Sequence, residues 1–141
     1  GHGKKSQKFI SAGSGGGYVE SSVYYPCSPN EDMNWSFEIK ATNASARNTV
    51  IIQWYQSDET ASASGNTTIY VRSADNPLSW SMFSGAALPP SDAKLFKVRM
   101  TGIYTGASGS TWFDNVRFGT TPQEDIDIGL TLGVTGSAPI V

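Results

Sequence analysis

An all-β chain, folded as an antiparallel jelly-roll β-sandwich with an extra C-terminal strand, is the prediction of this sequence, and three observations carry it. Branched and hydroxylated residues dominate. Val, Ile and Thr number 29 against five Leu, and such side chains crowd χ1 in a helix but suit a pleated surface. Short segments of alternating polarity recur at roughly 10-residue spacing, with no helical period between them. Gly, Pro, Asn and Asp punctuate the intervals, as turns require. With 141 residues the chain holds one domain rather than two.

Taken in order, residues 1–8 are polar and basic and read as a flexible arm or tag. The sandwich is expected over residues 9–118, and an extension over 119–141. Tyr18 to Tyr25 follows a glycine cluster and stops at Pro26, with Pro29-Asn30 as the next turn. Trp35 to Ala41 sets Trp35, Phe37, Ile39 and Ala41 on one face and Ser36, Glu38 and Lys40 on the other, a half-buried antiparallel strand. Thr49 to Ser57 carries Val50, Ile52 and Trp54 on one face and Ile51, Gln53 and Tyr55 on the other. Both faces are partly apolar, which predicts a central strand whose second face is covered or binds something.

Residues 58–66 lack periodicity and read as a loop. In the strand expected at 67–73, Ile69 and Val71 oppose Thr68, Tyr70 and Arg72. After the turn Asp75-Asn76-Pro77, Leu78, Trp80 and Met82 alternate as far as Ser84-Gly85. The break at Pro89-Pro90-Ser91-Asp92 precedes a strand over 94–103, with Phe96, Val98 and Met100 inward and Lys97, Arg99 and Thr101 outward. A last strand spans 111–118. Trp35, Trp54 and Trp80 sit on apolar stripes and are assigned to the core; Trp112 shares the parity of Val116 and Phe118 and is assigned to core or rim. In the extension, residues 125–134 alternate again as one strand, which either closes the edge of its own sheet or pairs with a neighbouring chain or domain.

Several functions are disfavoured by composition. A formal net charge of −2 removes the electrostatic basis for nucleic-acid binding. No apolar run nears the ~20 residues of a membrane span. One Cys and one His cannot build a zinc site or a Cys-His or Ser-His-Asp catalytic group. Cys27, with no internal partner, is read as a small buried hydrophobe. The acids Glu31 and Asp32, Asp58 and Glu59, and Asp125 and Asp127 lie in turns, a loop and the tail, not as a glycosidase pair. No enzyme activity is expected. The sequons at Asn34, Asn43 and Asn66 bear only on a eukaryotic secretory setting.

From Trp35 to Phe118 the order of segments is WSFEIKA, VIIQWYQSD, WSMFSG, a Pro-Pro-Ser-Asp-Ala turn before FKVRM, and GASGSTWFDNVRF. This order resembles the jelly-roll carbohydrate-binding modules of the family 4/9 kind, found as appendages of secreted glycoside hydrolases and in bacteriophage tail, fibre and other virion proteins. The most specific piece is the Gly/Ser turn followed by aromatic-Phe-Asp-Asn-Val. The Asn-Gly-x-Phe-Glu-like opening of such modules is not visible before Phe9, so the chain starts partway into the module or its first strand has diverged. The resemblance implies a structural Ca²⁺ at Asp114, whose usual early acidic partner is also not visible; the alternative is that Asp114 caps a turn. No other cofactor is implied.

Saccharides are held by aromatic faces against pyranose C–H surfaces, with amides and guanidinium groups on the hydroxyls. Gln53 and Tyr55 share one strand face, and Tyr70 and Arg72 share another. If those strands are neighbours, the four residues form a carbohydrate-binding platform. Two roles follow from the resemblance. One is a structural and host-glycan-binding module of a phage virion, whose partners are glycans or other virion subunits, with self-association through residues 119–141. The other is a carbohydrate-binding accessory module of a secreted bacterial glycoside hydrolase. The place of action is a virion or the extracellular space. Ser/Thr/Gly richness, the lack of disulfides and the leftover apolar strand favour the virion.

Overall fold

The alternating segments form strands that pair throughout in antiparallel fashion. A computed structural model describes residues 7–12, 17–104, 108–119, 126–127 and 132–136, with side chains over 18–102 and 109–119. In chain order the strands are β1 (Gln7–Ala12), β2 (Gly17–Ser21), β3 (Tyr25–Pro26), β4 (Met33–Ala41), β5 (Arg47–Tyr55) and β6 (Ala61–Arg72). They continue as β7 (Ser81–Ala87), β8 (Leu95–Tyr104), β9 (Ser108–Gly119), β10 (Ile126–Asp127) and β11 (Leu132–Gly136). The described residues contain no helix. The first sheet runs β1-β9-β4-β7, with β10 also paired to β9. The second runs β11-β2-β8-β5-β6, with β3 also paired to β8. The predicted β-sandwich is the observed architecture.

Inward residues of the two sheets interdigitate as a single core. The first sheet supplies Met33, Phe37, Ile39, Phe113, Val116 and Phe118; the second supplies Val19, Val50, Ile52, Trp54, Phe96, Val98 and Met100. Phe37 lies at the centre of an aromatic cluster. It stacks on Trp35 at 5.8 Å, meets the edge of Tyr70 at 5.5 Å and touches Phe83 and Phe113. Opposite Trp35 on β7 stands Gly85, where an added Cβ would fall 2.6 Å from the indole. Glycine is required there by packing rather than by backbone conformation.

A buried polar network crosses this core. Asn76, in the turn after β6, accepts at Oδ1 from Asn48 Nδ2 and from the Tyr70 hydroxyl, each at 2.9 Å. Its own amide donates to the carbonyls of Ala44 and Ala46. Thr111 on β9 donates to Asn48 Oδ1 at 3.0 Å, which carries the network into the first sheet. All four side chains are buried, and every polar group in the chain of contacts has a partner, the condition under which buried polarity is tolerated.

Several sequence expectations shift. The stretch 18–25 is two strands, because the chain leaves the ladder after Ser21. There the Ser21 hydroxyl accepts from Val98 N–H in place of a backbone carbonyl. Residues 61–66, read as loop, belong to β6; Glu59, at a φ of 70°, closes a tight turn with Gln56 instead. Leu78 (60% exposed) and Trp80 precede β7 and face out, and Met82 (66%) points to solvent while Phe83 turns inward. The strand parity therefore starts at Ser81, and the stripe Leu78–Trp80–Met82 is not core. β1 begins at Gln7, inside the segment assigned to the arm, and lies against β9. Among its described residues the tail forms two short strands, which pair with β9 and β2 of the same chain. Residues 1–6 and most of the tail lie outside the described residues.

Cys27 is half-buried against the core, and burial pushes its thiol up to about 11 despite the opposing charge of Lys94. Iodoacetamide at pH 8 is expected to alkylate it about a hundredfold more slowly than an ordinary thiol, since the thiolate fraction falls tenfold per pKa unit. Asn76→Ala strands four partners at once and should cost about 3 kcal/mol or more, read as a drop of roughly 10 °C in Tm. Burial also pushes the Tyr70 phenol up to about 12, against an ordinary 10.0. A raised folded-state value means that this contribution to stability is whole below pH 10 and is lost as the pH climbs toward 12. In denaturant midpoints measured from pH 9 to 12, Tyr70→Phe should show a smaller alkaline loss than the parent.

Candidate functional site

The outer face of the second sheet gathers the chemistry. Its side chains stand in rows across the strands, set by register. In the first row Tyr18 of β2 pairs with Thr101 of β8, which pairs with Thr49 of β5. Glu20, Arg99, Ile51 and Thr68 form the second, and Lys97, Gln53 and Asn66 the third. Leu95 and Tyr55 close the fourth. Tyr24 joins them from the link between β2 and β3, where its neighbour Tyr25 packs on the core residue Phe96; its ring meets Tyr55 edge-on at 4.9 Å.

Charges on this face are held against rings. Arg99 Nη2 lies 3.0 Å from Glu20 Oε2, and its guanidinium sits 4.1 Å from the Tyr18 ring centroid. Lys97 Nζ sits 4.3 Å from the centroid of Tyr24. These cation–π contacts hold flexible side chains in place. Burial, reinforced by the nearby Glu20 charge and Tyr24, raises the Tyr55 phenol above its ordinary value, so it stays a neutral donor. At the floor lies Gln53, 8% exposed, whose Oε1 is buried without a hydrogen-bond partner. An unpaired buried amide oxygen is costly and marks a place where an outside donor would be accommodated.

Only half of the four-residue platform is assembled here. Gln53 and Tyr55 are on this face. Tyr70 is not: it is 5% exposed, packed on Phe37 and bonded to Asn76. Arg72 follows it inward at the sandwich edge, 5.0 Å from the Phe83 centroid, donating to the carbonyl of Asp75. The cause is a bulge. Val50 pairs with Tyr70 but Ile51 pairs with Thr68, so Ile69 is an extra residue that reverses parity along β6. Tyr18, Glu20, Tyr24, Lys97 and Arg99 were not foreseen as site residues. The outward parity of Lys97 and Arg99 was legible; that β8 lies beside β5 was not.

A second bulge shapes the opposite face of the sandwich. Ser36 pairs with Arg117 and Glu38 with Asp114, so β9 carries one residue more than β4 between those pairs. Asn115 absorbs it at a φ of 50°, a conformation Asn tolerates better than most residues. Parity flips here too: Trp112 faces outward beneath Lys40, whereas Val116 and Phe118 are core. Asp114 Oδ1 accepts from Asn115 N–H at 2.8 Å, and the Asn115 amide donates to Glu38 Oε2. Ser36, Phe37, Glu38, Met82, Asn115 and Arg117 line a cavity of about 230 Å³. No group of three or more His, Cys, Asp or Glu gathers anywhere among the described residues. Asp114, the residue to which the resemblance assigns Ca²⁺, caps the turn at Asn115, and Glu38 holds the Asn115 amide.

No protein-family model matches this chain, and no curated protein matches it. Solved structures do. The ligand-free carbohydrate-binding module of PbXyn10C superposes with a TM-score of 0.57 at 12% identity, over 97% of this chain and 87% of that one. A structure described as Family 16 Carbohydrate Binding Module-2 gives 0.54 at 16%, over 79% of this chain and 73% of that one. The enzymatically active domain of bacteriophage CBA120 tailspike protein 4 gives 0.50 at 14%, over 82% of this chain and 17% of that one. At these identities the likeness is one of fold: the chain has the jelly-roll β-sandwich architecture shared by these carbohydrate-binding modules.

Proposed function

We propose that this chain is a non-catalytic module that binds a saccharide on the outer face of its second sheet, outside the cell. The observation that carries the proposal is Gln53, a buried amide with an unpaired acceptor oxygen, set among the tyrosines of that face. A sugar hydroxyl would donate to Gln53 Oε1 while Tyr55 and Tyr24 receive the C–H surface of the ring. The state of the carboxylates supports a binding rather than a hydrolytic role. Glu20 is paired to Arg99, Asp58 is tied to Thr60, and Asp92 accepts from Ser62 and from the backbone N–H of Ala63.

Two settings have support of their own. Likeness to the PbXyn10C module and to the CBM22-1–GH10 modules of Clostridium thermocellum endo-1,4-β-D-xylanase 10B supports an accessory module of a glycoside hydrolase. Likeness to the tailspike supports a virion component. Neighbouring domains in the parent polypeptide discriminate between them: a glycosidase domain argues for the first, a virion-assembly domain for the second.

Glycan-array binding followed by affinity electrophoresis tests the site. Tyr55→Ala and Gln53→Ala should each weaken binding about tenfold or more, roughly 1.4 kcal/mol. Arg72→Ala, at the sandwich edge, should leave affinity unchanged. Retained affinity in both face variants, with unaltered circular dichroism, would remove the site.

A further inference from the structure

We infer that the saccharide taken by this face carries a carboxylate, with Lys97 as its counter-charge; the inference rests on the glycan-binding role proposed above. The chain as a whole is acidic, with a formal net charge of −2. Its candidate face is not. Glu20 and Arg99 neutralise each other, with Nε and Nη2 both within 3.2 Å of the same carboxylate oxygen. Lys97 remains, and it makes no ion pair with any described carboxylate. Its ammonium is held over the Tyr24 ring at 4.3 Å, a contact that fixes its position and leaves its charge uncancelled.

Position gives that charge its meaning. Lys97 is the direct cross-strand partner of Gln53, and both face outward. A fixed cation therefore stands beside an unpaired buried acceptor. A neutral sugar uses only the acceptor, by donating a hydroxyl to it. A uronic-acid residue uses both, placing its carboxylate on Lys97 Nζ and an adjacent hydroxyl on Gln53 Oε1. A charge-assisted hydrogen bond in a partly desolvated site is the stronger of the two contacts. Of the carboxylates near this face, Glu20 is neutralised by Arg99, whereas Asp58 keeps its charge in the β5–β6 turn, held by the Thr60 hydroxyl and N–H.

The test compares acidic oligosaccharides with the same sugars after methyl esterification, which removes the charge and keeps the ring. Tetrasaccharides of galacturonate, of mannuronate and of hyaluronan serve as probes, each beside its ester, in calorimetric titrations at 20 mM and 500 mM salt. The parent should bind at least one acid form about tenfold more tightly than its ester at low salt, with the gap narrowing at high salt. Lys97→Gln should bring acid and ester to near parity while ester binding persists, and Lys97→Arg should restore the preference. Equal affinity of the parent for acid and ester would overturn the inference and leave glycan binding standing, as would a preference that survives Lys97→Gln. Absence of binding to every acidic and neutral saccharide, here and on the array, would overturn both.

Discussion

Asn76 is the point at which the β6–β7 connection is tied to both sheets. Its single side-chain oxygen takes hydrogen bonds from Asn48 on β5 and Tyr70 on β6, and its amide reaches the turn before β5. Through Asn48 the ties extend to Thr111 on β9. Hydrophobic burial alone would bring the sheets together without choosing their relative placement, since it has no direction. A buried amide does choose, because each unmet bond costs free energy on the order of 1–3 kcal/mol. The network therefore sets the sandwich in one register, and with it the positions of β5 and β8 that bear the candidate face.

Irregularities within this frame decide what each face displays. The link between β2 and β3 delivers Tyr24 to Tyr55. The extra residue at Ile69 turns Tyr70 and Arg72 inward, and the extra residue at Asn115 sends Trp112 outward. Each device re-aims side chains without breaking the sheet. Past the bulge on β6, Tyr70 accordingly serves the core and Arg72 the edge. Regular stretches of β5, β8 and β2 keep strict alternation and present a continuous polar and aromatic surface.

That surface combines economy with an exception. Most of its polar groups are engaged with one another: Glu20 with Arg99, Arg99 with Tyr18, Lys97 with Tyr24. Rings and cations arranged this way are preorganised, so a ligand would meet little conformational loss on binding. The exception is the Gln53 carbonyl, buried and unmatched. The glycan-binding role proposed above would make use of both features.

Much of the fold was legible in the sequence because it depends on local physics. Alternation at Trp35–Ala41 and Phe96–Met100 follows from the period-2 geometry of a strand, and the turns at Pro29-Asn30 and Asp75-Asn76-Pro77 follow from side chains that favour tight turns. At Asn30 and Asp75 the backbone does adopt positive φ. Gln53 and Tyr55 were legible on the same ground, since their strand keeps its parity. Tyr70 and Arg72 were misplaced because a bulge leaves no local signature: Ile69 resembles any strand residue, and only its pairing with β5 shows it to be the extra one. The company of Gln53 was equally hidden, for Lys97 and Tyr24 reach it from distant parts of the chain. The sequence by itself determined the strand class, the turns and the alternation. The tertiary structure alone decided strand adjacency, bulge position and the fourfold bonding of Asn76, because these depend on contacts between residues far apart in the chain.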